Sequence, residues 1–301
     1  MHRETHWSGL AMIFLAVLSA TAMDAFIKLA GGDIGTWQLL FMRWIIGTLV
    51  ILPVVVYYWK KRETIKDRRI YYWRFALNLV GCYALFYSLA NLPFATVITI
   101  LFAEPIFIIP LAVVLLGEKI SLKNVIASLV GFGAVFYINR PEEAGSGFSV
   151  VAPIVAALTL AVEHVLNKRL GSQENPQFML FWLAVPLAAV SLPMTVFVEG
   201  WVDISAMQWG IVLLAAVLGN AYNYFIIMGF RRAHVSTGSV LLYLSVPMAF
   251  IIGVVFFDEI PTLSGVVCGA LILGASMLAN MRRPGEKGNE ETNASEVPVN
   301  S

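Results

Sequence analysis

Ten apolar stretches, each close to the roughly 20 residues that a helix needs to cross a bilayer, divide this 301-residue chain from end to end. They fall at 8–29, 36–59, 71–90, 93–116, 122–139, 148–170, 176–198, 207–229, 235–257 and 262–281. Short connections rich in Gly, Pro or Asn separate them, as at Asn91–Pro93 and Asn175-Pro176. No water-soluble core offers enough interior for ten such stretches. Composition agrees: 59% of residues are hydrophobic and 13% charged, against about 25% charged in a soluble domain. The expected fold is an all-α membrane protein, with the lipid bilayer as its solvent.

Lys and Arg orient it, because cytoplasmic connections carry the excess of positive charge. Lys60, Lys61, Arg62, Lys66, Arg68 and Arg69 lie between the second and third stretches. Every second connection after that is basic: Lys119 and Lys123, Lys168 and Arg169, Arg231 and Arg232, then Arg282, Arg283 and Lys287. The intervening connections hold one basic residue, Arg140, beside two glutamates. The alternation predicts a multi-pass inner-membrane protein with both termini cytoplasmic. The N-terminal run is read as a span and not a cleaved signal, since it stays apolar to Leu29.

The chain also repeats itself. Phe94-Ala95-Thr96-Val97-Ile98-Thr99, Glu104-Pro105 and Gly117-Glu118-Lys119-Ile120-Ser121-Leu122 return as Ser236-Thr237-Gly238-Ser239-Val240-Leu241, Val246-Pro247 and Asp258-Glu259-Ile260-Pro261-Thr262-Leu263. Gly133 and Gly274 match in the stretch that follows, and Asp24…Lys28 aligns with His164…Lys168. Five stretches per half force the two halves into opposite orientations. The charges agree, since Glu118-Lys119 lies in a basic connection and Asp258-Glu259 in one without positive charge. Inverted repeats with a solute site near the midplane are a recurrent transporter architecture, because exchange of conformation between the halves gives alternating access. The organisation expected is a first repeat over 1–140, a second over 147–283 and a disordered cytoplasmic tail over 284–301.

The repeated pattern of small residues, Pro, a short apolar run, Gly-Glu-x-x-Ser/Thr-Leu and Gly-x-Gly resembles the EamA domain of the drug/metabolite transporter superfamily. Ser19-Ala20-Thr21-Ala22-Met23-Asp24-Ala25-Phe26-Ile27-Lys28 followed by Arg43 is similar to its bacterial members. The resemblance implies ten helices around a central cavity lined by the first four of each half. Relatives of this kind move amino acids, sugars, nucleotide conjugates, S-adenosylmethionine, riboflavin and other metabolites. This sequence departs from the pattern in having His164, preceded by Glu163, opposite Asp24.

An ionisable group within a span costs about 2.5–3.5 kcal/mol on insertion scales and therefore faces the bundle interior. Away from helix ends these are Asp24, Arg43, Glu104, Glu163 and His164. Their depths place Asp24, Arg43 and Glu104 in one layer. Arg43 is read as holding a substrate carboxylate or phosphate in a two-pronged contact. Asp24 or Glu104 would bind a substrate amine or take up a coupling proton. A fixed Asp24–Arg43 ion pair is the structural alternative. Glu163 and His164 point about 100° apart on a helix, so one of them is expected to face the cavity centre.

Asn220, Asn223 and Tyr224 form one polar face of the eighth stretch. Ser236, Ser239, Tyr243 and Pro247 form another on the ninth. Of these, Asn220, Asn223 and Tyr243 are taken as candidate substrate contacts, Tyr243 because its ring sits beside a proline break. Lys28 and Lys168 are read as snorkelling or pairing locally.

Cys82 and Cys268 both lie in apolar runs, and there is no metal-ligand spacing, phosphate loop or nucleophile elbow. No enzyme activity, cofactor or metal is expected, nor a nucleic-acid partner. The sequence reads as a secondary transporter, monomeric or homodimeric, for a small polar or zwitterionic solute, driven by a gradient with protons as a candidate coupling ion. A non-transporting receptor or assembly protein and a membrane enzyme are the alternatives. The first would need larger loops than these, and the second clustered acids or histidines at a membrane face.

Overall fold

The computed structural model describes residues 2–31, 34–60, 68–101, 104–117, 148–171, 175–233 and 238–258, with scattered helical positions between 122 and 133 and between 267 and 274. The expected fifth and tenth spans, Ser236 and the tail lie largely outside these residues. Nine α-helices are described: α1 His2–Ala30, α2 Thr36–Lys60, α3 Arg68–Asn91, α4 Phe94–Leu101, α5 Glu104–Leu116, α6 Phe148–Gly171, α7 Pro176–Met194, α8 Ala206–Arg232 and α9 Ser245–Phe257. A π-helical turn, Thr195–Glu199, continues α7, and a 3₁₀ stretch, Ser239–Leu244, leads into α9. Among the described residues there is no strand. Hydrocarbon offers a backbone no water to bond with, so continuous helices are the local solution.

Among the described residues, six helical segments are long and apolar enough to cross a membrane: Trp7–Ala30, Thr36–Tyr58, Val151–Arg169, Pro176–Glu199, Ala206–Arg232 and Ser239–Phe257. Helix α3 has the length, at 24 residues, but the buried Arg74 and Asn78 lower its hydropathy. The polar residues that disqualify it by composition face inward. Large apolar side chains such as Leu49, Val80, Val114, Leu213 and Ile251 stand exposed on the outside, where lipid tails would meet them.

Helix ends explain several sequence signals. Asn175 caps α7 by accepting from the Gln177 amide, with Pro176 at the first turn, and Ser205 and Gln208 form a capping box on α8, as such residues do generally. The motif pair Gly117-Glu118 and Asp258-Glu259 has a backbone cause. Gly117 (φ 67°) and Asp258 (φ 52°) both turn left-handed at the ends of α5 and α9. Among residues with a side chain, Asp and Asn tolerate this conformation best.

The repeat is visible in hydrogen bonds. Lys28 Nζ donates to the Leu92 carbonyl at 2.9 Å, and Lys168 Nζ donates to the Ala233 carbonyl at 2.7 Å and to that of Phe230. Each lysine at the end of one half's first helix thus reaches the chain leaving that half's third helix. It occupies orphan carbonyls that lipid would leave unsatisfied. Packing follows the same symmetry: α1 lies along α8, α3 along α6, and α2 along α7. In every one of these pairs a helix of one half packs on a helix of the other.

Glycines let the first of those pairs close. A Cβ at Gly229 of α8 would stand 2.6 Å from Ile13 Cγ1 and 3.1 Å from the Gly9 carbonyl oxygen of α1. At Gly210, near the other end of α8, it would meet nothing within 4 Å. Gly229→Ala should therefore destabilise the detergent-solubilised protein by about 1–3 kcal/mol, read as a lowered melting temperature. Gly210→Ala should leave the melting temperature unchanged or raise it slightly.

Candidate functional site

The two halves do not close completely along their midline. A cavity of about 90 Å³ lies between α1, α2, α3, α4 and α5 on one side and α6, α8 and the 3₁₀–α9 segment on the other. Six of the eight residues singled out from sequence line it: Asp24, Arg43, Glu104, Glu163, His164 and Asn223. All six are buried. Glu163 and His164 both reach it, so the expectation that one alone would do so is corrected. The cavity is wide enough around α6 to meet two sides of that helix.

Asn220 and Tyr243 are buried elsewhere. The Asn220 amide donates to the Gly47 carbonyl at 2.8 Å, tying α8 to α2. Tyr243 is 1% exposed within the core. The 3₁₀ backbone explains its placement. At three residues per turn, positions i and i+3 align, and Leu242 and Ser245 face the cavity. The α-helical face expected through Ser239, Tyr243 and Pro247 does not form over that stretch.

Arg43 and Asp24 both border the cavity without forming an ion pair within 4 Å. Arg43 lies with its guanidinium carbon 3.7 Å from the centroid of the Trp44 ring, and its Nη2 is 3.7 Å from Met23 Sδ. A cation over an indole in a desolvated site gains about 2 kcal/mol, which holds the charge without using its N–H groups. Among the described residues, Arg43 Nε and Nη1, Trp44 Nε1 and Asp24 Oδ1 have no hydrogen-bond partner. Gly219 on α8 makes room for the guanidinium, since a Cβ there would be 2.9 Å from Arg43 Cζ.

Two further charge pairs flank this one. Glu104 Oε1 is 3.2 Å from His164 Nε2, and Tyr222 Oη is 3.5 Å from the same nitrogen. Arg74 Nη2 is 3.5 Å from Glu163 Oε1, which also accepts from Asn167 at 3.4 Å, and Arg74 Nη1 donates to the Met179 carbonyl at 3.3 Å. Arg74 is fully buried, yet its place near the start of α3, after Arg68 and Arg69, gives it the look of an interfacial residue in sequence. The available signal was helical spacing: Arg74, Asn78 and Cys82 stand four apart on one face. Asn78 donates to the Arg74 carbonyl at 3.1 Å and lies within 3.8 Å of Cys82 Sγ.

Many other polar side chains are spoken for by the backbone. Ser19, Thr21, Thr48, Ser88, Thr159 and Ser191 each donate to a carbonyl one turn back. They satisfy themselves locally. Around the cavity, the atoms left with unused capacity include Asp24 Oδ1, Arg43 Nε and Nη1, Trp44 Nε1 and Glu104 Oε1. That set has donors on α2 and acceptors on α1 and α5. It suits a solute that accepts at one end and donates at the other. Among the described residues no group of His, Cys, Asp and Glu could hold a metal ion.

Comparison with known proteins identifies the family. The profile of the EamA-like transporter family matches residues 7–140 and 147–281. The S-adenosylmethionine uptake transporter of Rickettsia prowazekii (strain Madrid E) is 25% identical, over 91% of this chain and 92% of its own length. The riboflavin transporter of Rhizobium johnstonii is 26% identical, over 90% and 88%. The pseudopaline exporter CntI of Pseudomonas aeruginosa (strain UCBPP-PA14) is 22% identical, over 92% and 98%. Among solved structures, a crystal structure superposes with a TM-score of 0.75 over 91% of this chain and 97% of the other at 20% identity, a likeness of fold alone.

The flanking pairs make a prediction of their own. Removing one partner of a buried ion pair strands the other charge, at a cost of about 3–5 kcal/mol. Arg74→Met alone should lower the thermal midpoint sharply. The double variant Arg74→Met/Glu163→Met should recover most of the loss. A double variant no more stable than the single would show that Arg74 and Glu163 act independently.

Proposed function

The chain belongs to the EamA-like transporter family, and from that premise we propose that it is a secondary transporter for a small polar or zwitterionic metabolite. It carries the solute across the inner membrane by alternating access between two inverted five-helix halves. Ten spans with both termini cytoplasmic are part of this reading, supported by the alternation of basic connections along the chain. The observation that carries it is the pair Asp24 and Arg43. Opposite charges are buried on one cavity between the halves and held apart, with hydrogen-bonding atoms unoccupied. A buried charge left so is costly, and a ligand bearing both charges would satisfy it. Arg43 would take the anionic end through Nε and Nη1, with Trp44 Nε1 as a third donor, and Asp24 the cationic end.

Size bears on mechanism. A volume of 90 Å³ is well below the roughly 300–1,000 Å³ of drug-sized ligand pockets. A metabolite the size of those carried by the relatives enters only if the halves separate. A separation on one face at a time is alternating access, and a gradient would supply its free energy.

The test is uptake into proteoliposomes of radiolabelled S-adenosylmethionine, riboflavin and a panel of amino acids. One of these should accumulate. Arg43→Ala, at equal reconstitution, should lower its uptake by about tenfold or more, the equivalent of about 1.4 kcal/mol. Arg43→Lys should restore little, because an ammonium lacks the planar fork. Unchanged transport by Arg43→Ala would remove the site from this account.

A further inference from the structure

We propose that Glu104 and His164 together form a proton-binding site that joins the two halves across the cavity and that holds one exchangeable proton. Glu104 belongs to the first half and opens α5, whereas His164 belongs to the second half and lies on α6. Their contact, Oε1 to Nε2 at 3.2 Å, is the sole hydrogen-bond-range contact of either group with a titratable side chain besides Tyr222 among the described residues. The His164 ring also lies within reach of the Leu160 backbone carbonyl, one turn back on α6.

The chemistry follows from the number of protons. With one proton between them, the carboxylic acid donates to a bare Nε2, or the imidazolium donates to the carboxylate. Either way the pair is neutral. When the proton leaves, a carboxylate accepts from the Nε2–H of a neutral imidazole, and the pair carries one negative charge. Nδ1 carries hydrogen in the neutral pair and is bare once the proton has left. Tyr222 Oη, at 3.5 Å from Nε2, can donate when that nitrogen is bare.

The other groups around the cavity set what the charge does. Asp24 faces it from α1, Arg43 from α2, Cys82 from α3, Glu163 from α6 and Tyr222 from α8, with Arg74 behind Glu163. With both acids and both arginines ionised, these cancel. The Glu104–His164 proton then decides between a neutral cavity and one of charge −1. A neutral interior is the less costly in a low-dielectric slab. The proton is therefore retained until the cavity opens to water or admits a solute with a net positive charge. Proton and solute charge compete for one place, which is the requirement for exchange of one against the other. The purpose of the site rests on the transport reading, but its chemistry does not.

The experiment is infrared difference spectroscopy of the full chain reconstituted in liposomes, titrated from mildly acidic to mildly alkaline. No solute is needed, so a failure here is distinct from a failure of transport. A carboxylic-acid C=O band should be lost as pH rises, coupled to imidazole ring bands. In Glu104→Gln that band change should fall to background. In His164→Gln, which leaves the carboxyl but removes its proton partner, the band should remain and its midpoint should move. Asp24→Asn should leave both band and imidazole coupling in place. If Glu104→Gln is monodisperse and keeps the titrating band, or if His164→Gln leaves the midpoint unmoved, the proposal is overturned. Should Glu104→Gln fail to fold, the His164→Gln midpoint alone decides.

Discussion

Charge buried in hydrocarbon must be matched by charge, and the interior of this protein is organised around that requirement. Three acids, two arginines and a histidine are buried between the halves. Two close contacts, Arg74 with Glu163 and Glu104 with His164, each run from the first half to the second. Between like halves lipid exerts little hydrophobic drive, so close packing and polar contacts must supply the cohesion. The glycines at the α1–α8 and α3–α6 contacts supply the former. Gly81, for example, leaves no room for a Cβ beside Thr159 Oγ1.

Symmetry and its breaking have separate consequences. The paired lysines Lys28 and Lys168 and the paired left-handed turns at Gly117 and Asp258 repeat one scaffold twice. Contacts at one membrane face are made by unrelated residues. Glu199, delivered by the π-turn after α7, accepts from the Trp37 amide at 2.9 Å at the start of α2. Gln38 and Val202 exchange two hydrogen bonds beside it. An acid at a helix N-terminus is favoured by the exposed N–H groups and the helix dipole. Nearby, Lys28 lies 5.2 Å from the Phe257 ring centroid and Phe94 lies 5.5 Å from Phe257. Each of these contacts joins one half to the other.

Much of this was legible in the sequence. Hydropathy located the six spans found among the described residues, because lipid forces that pattern on any chain that crosses it. The recurring motif marked the two repeats that the family match covers. Asp24, Arg43, Glu104 and His164 stood out as charges deep in apolar runs, and all four line the cavity. Arg74 did not stand out, since two arginines just before it make it resemble an interfacial anchor. Its spacing with Asn78 and Cys82 hinted at an inward face, and the packing of α3 on α6 shows it buried. Tyr243 and Asn220 were misplaced for a different reason: a side-chain face is projected with an assumed helical period. The 3₁₀ stretch changes that period, and Asn220 turns to the Gly47 carbonyl of a neighbouring helix. Tertiary contacts made both choices.

The central claim is that the cavity between the halves opens to one face at a time. Pulsed electron paramagnetic resonance measures it directly, with spin labels at Asn91 and Phe256 near one face and at Leu115 and Arg169 near the other, in protein lacking Cys82 and Cys268. The account predicts two distances for each pair, with the long distance of one accompanying the short distance of the other. Their populations should shift with pH and with transported solute. A single unchanging distance at both pairs, under every condition, would contradict it.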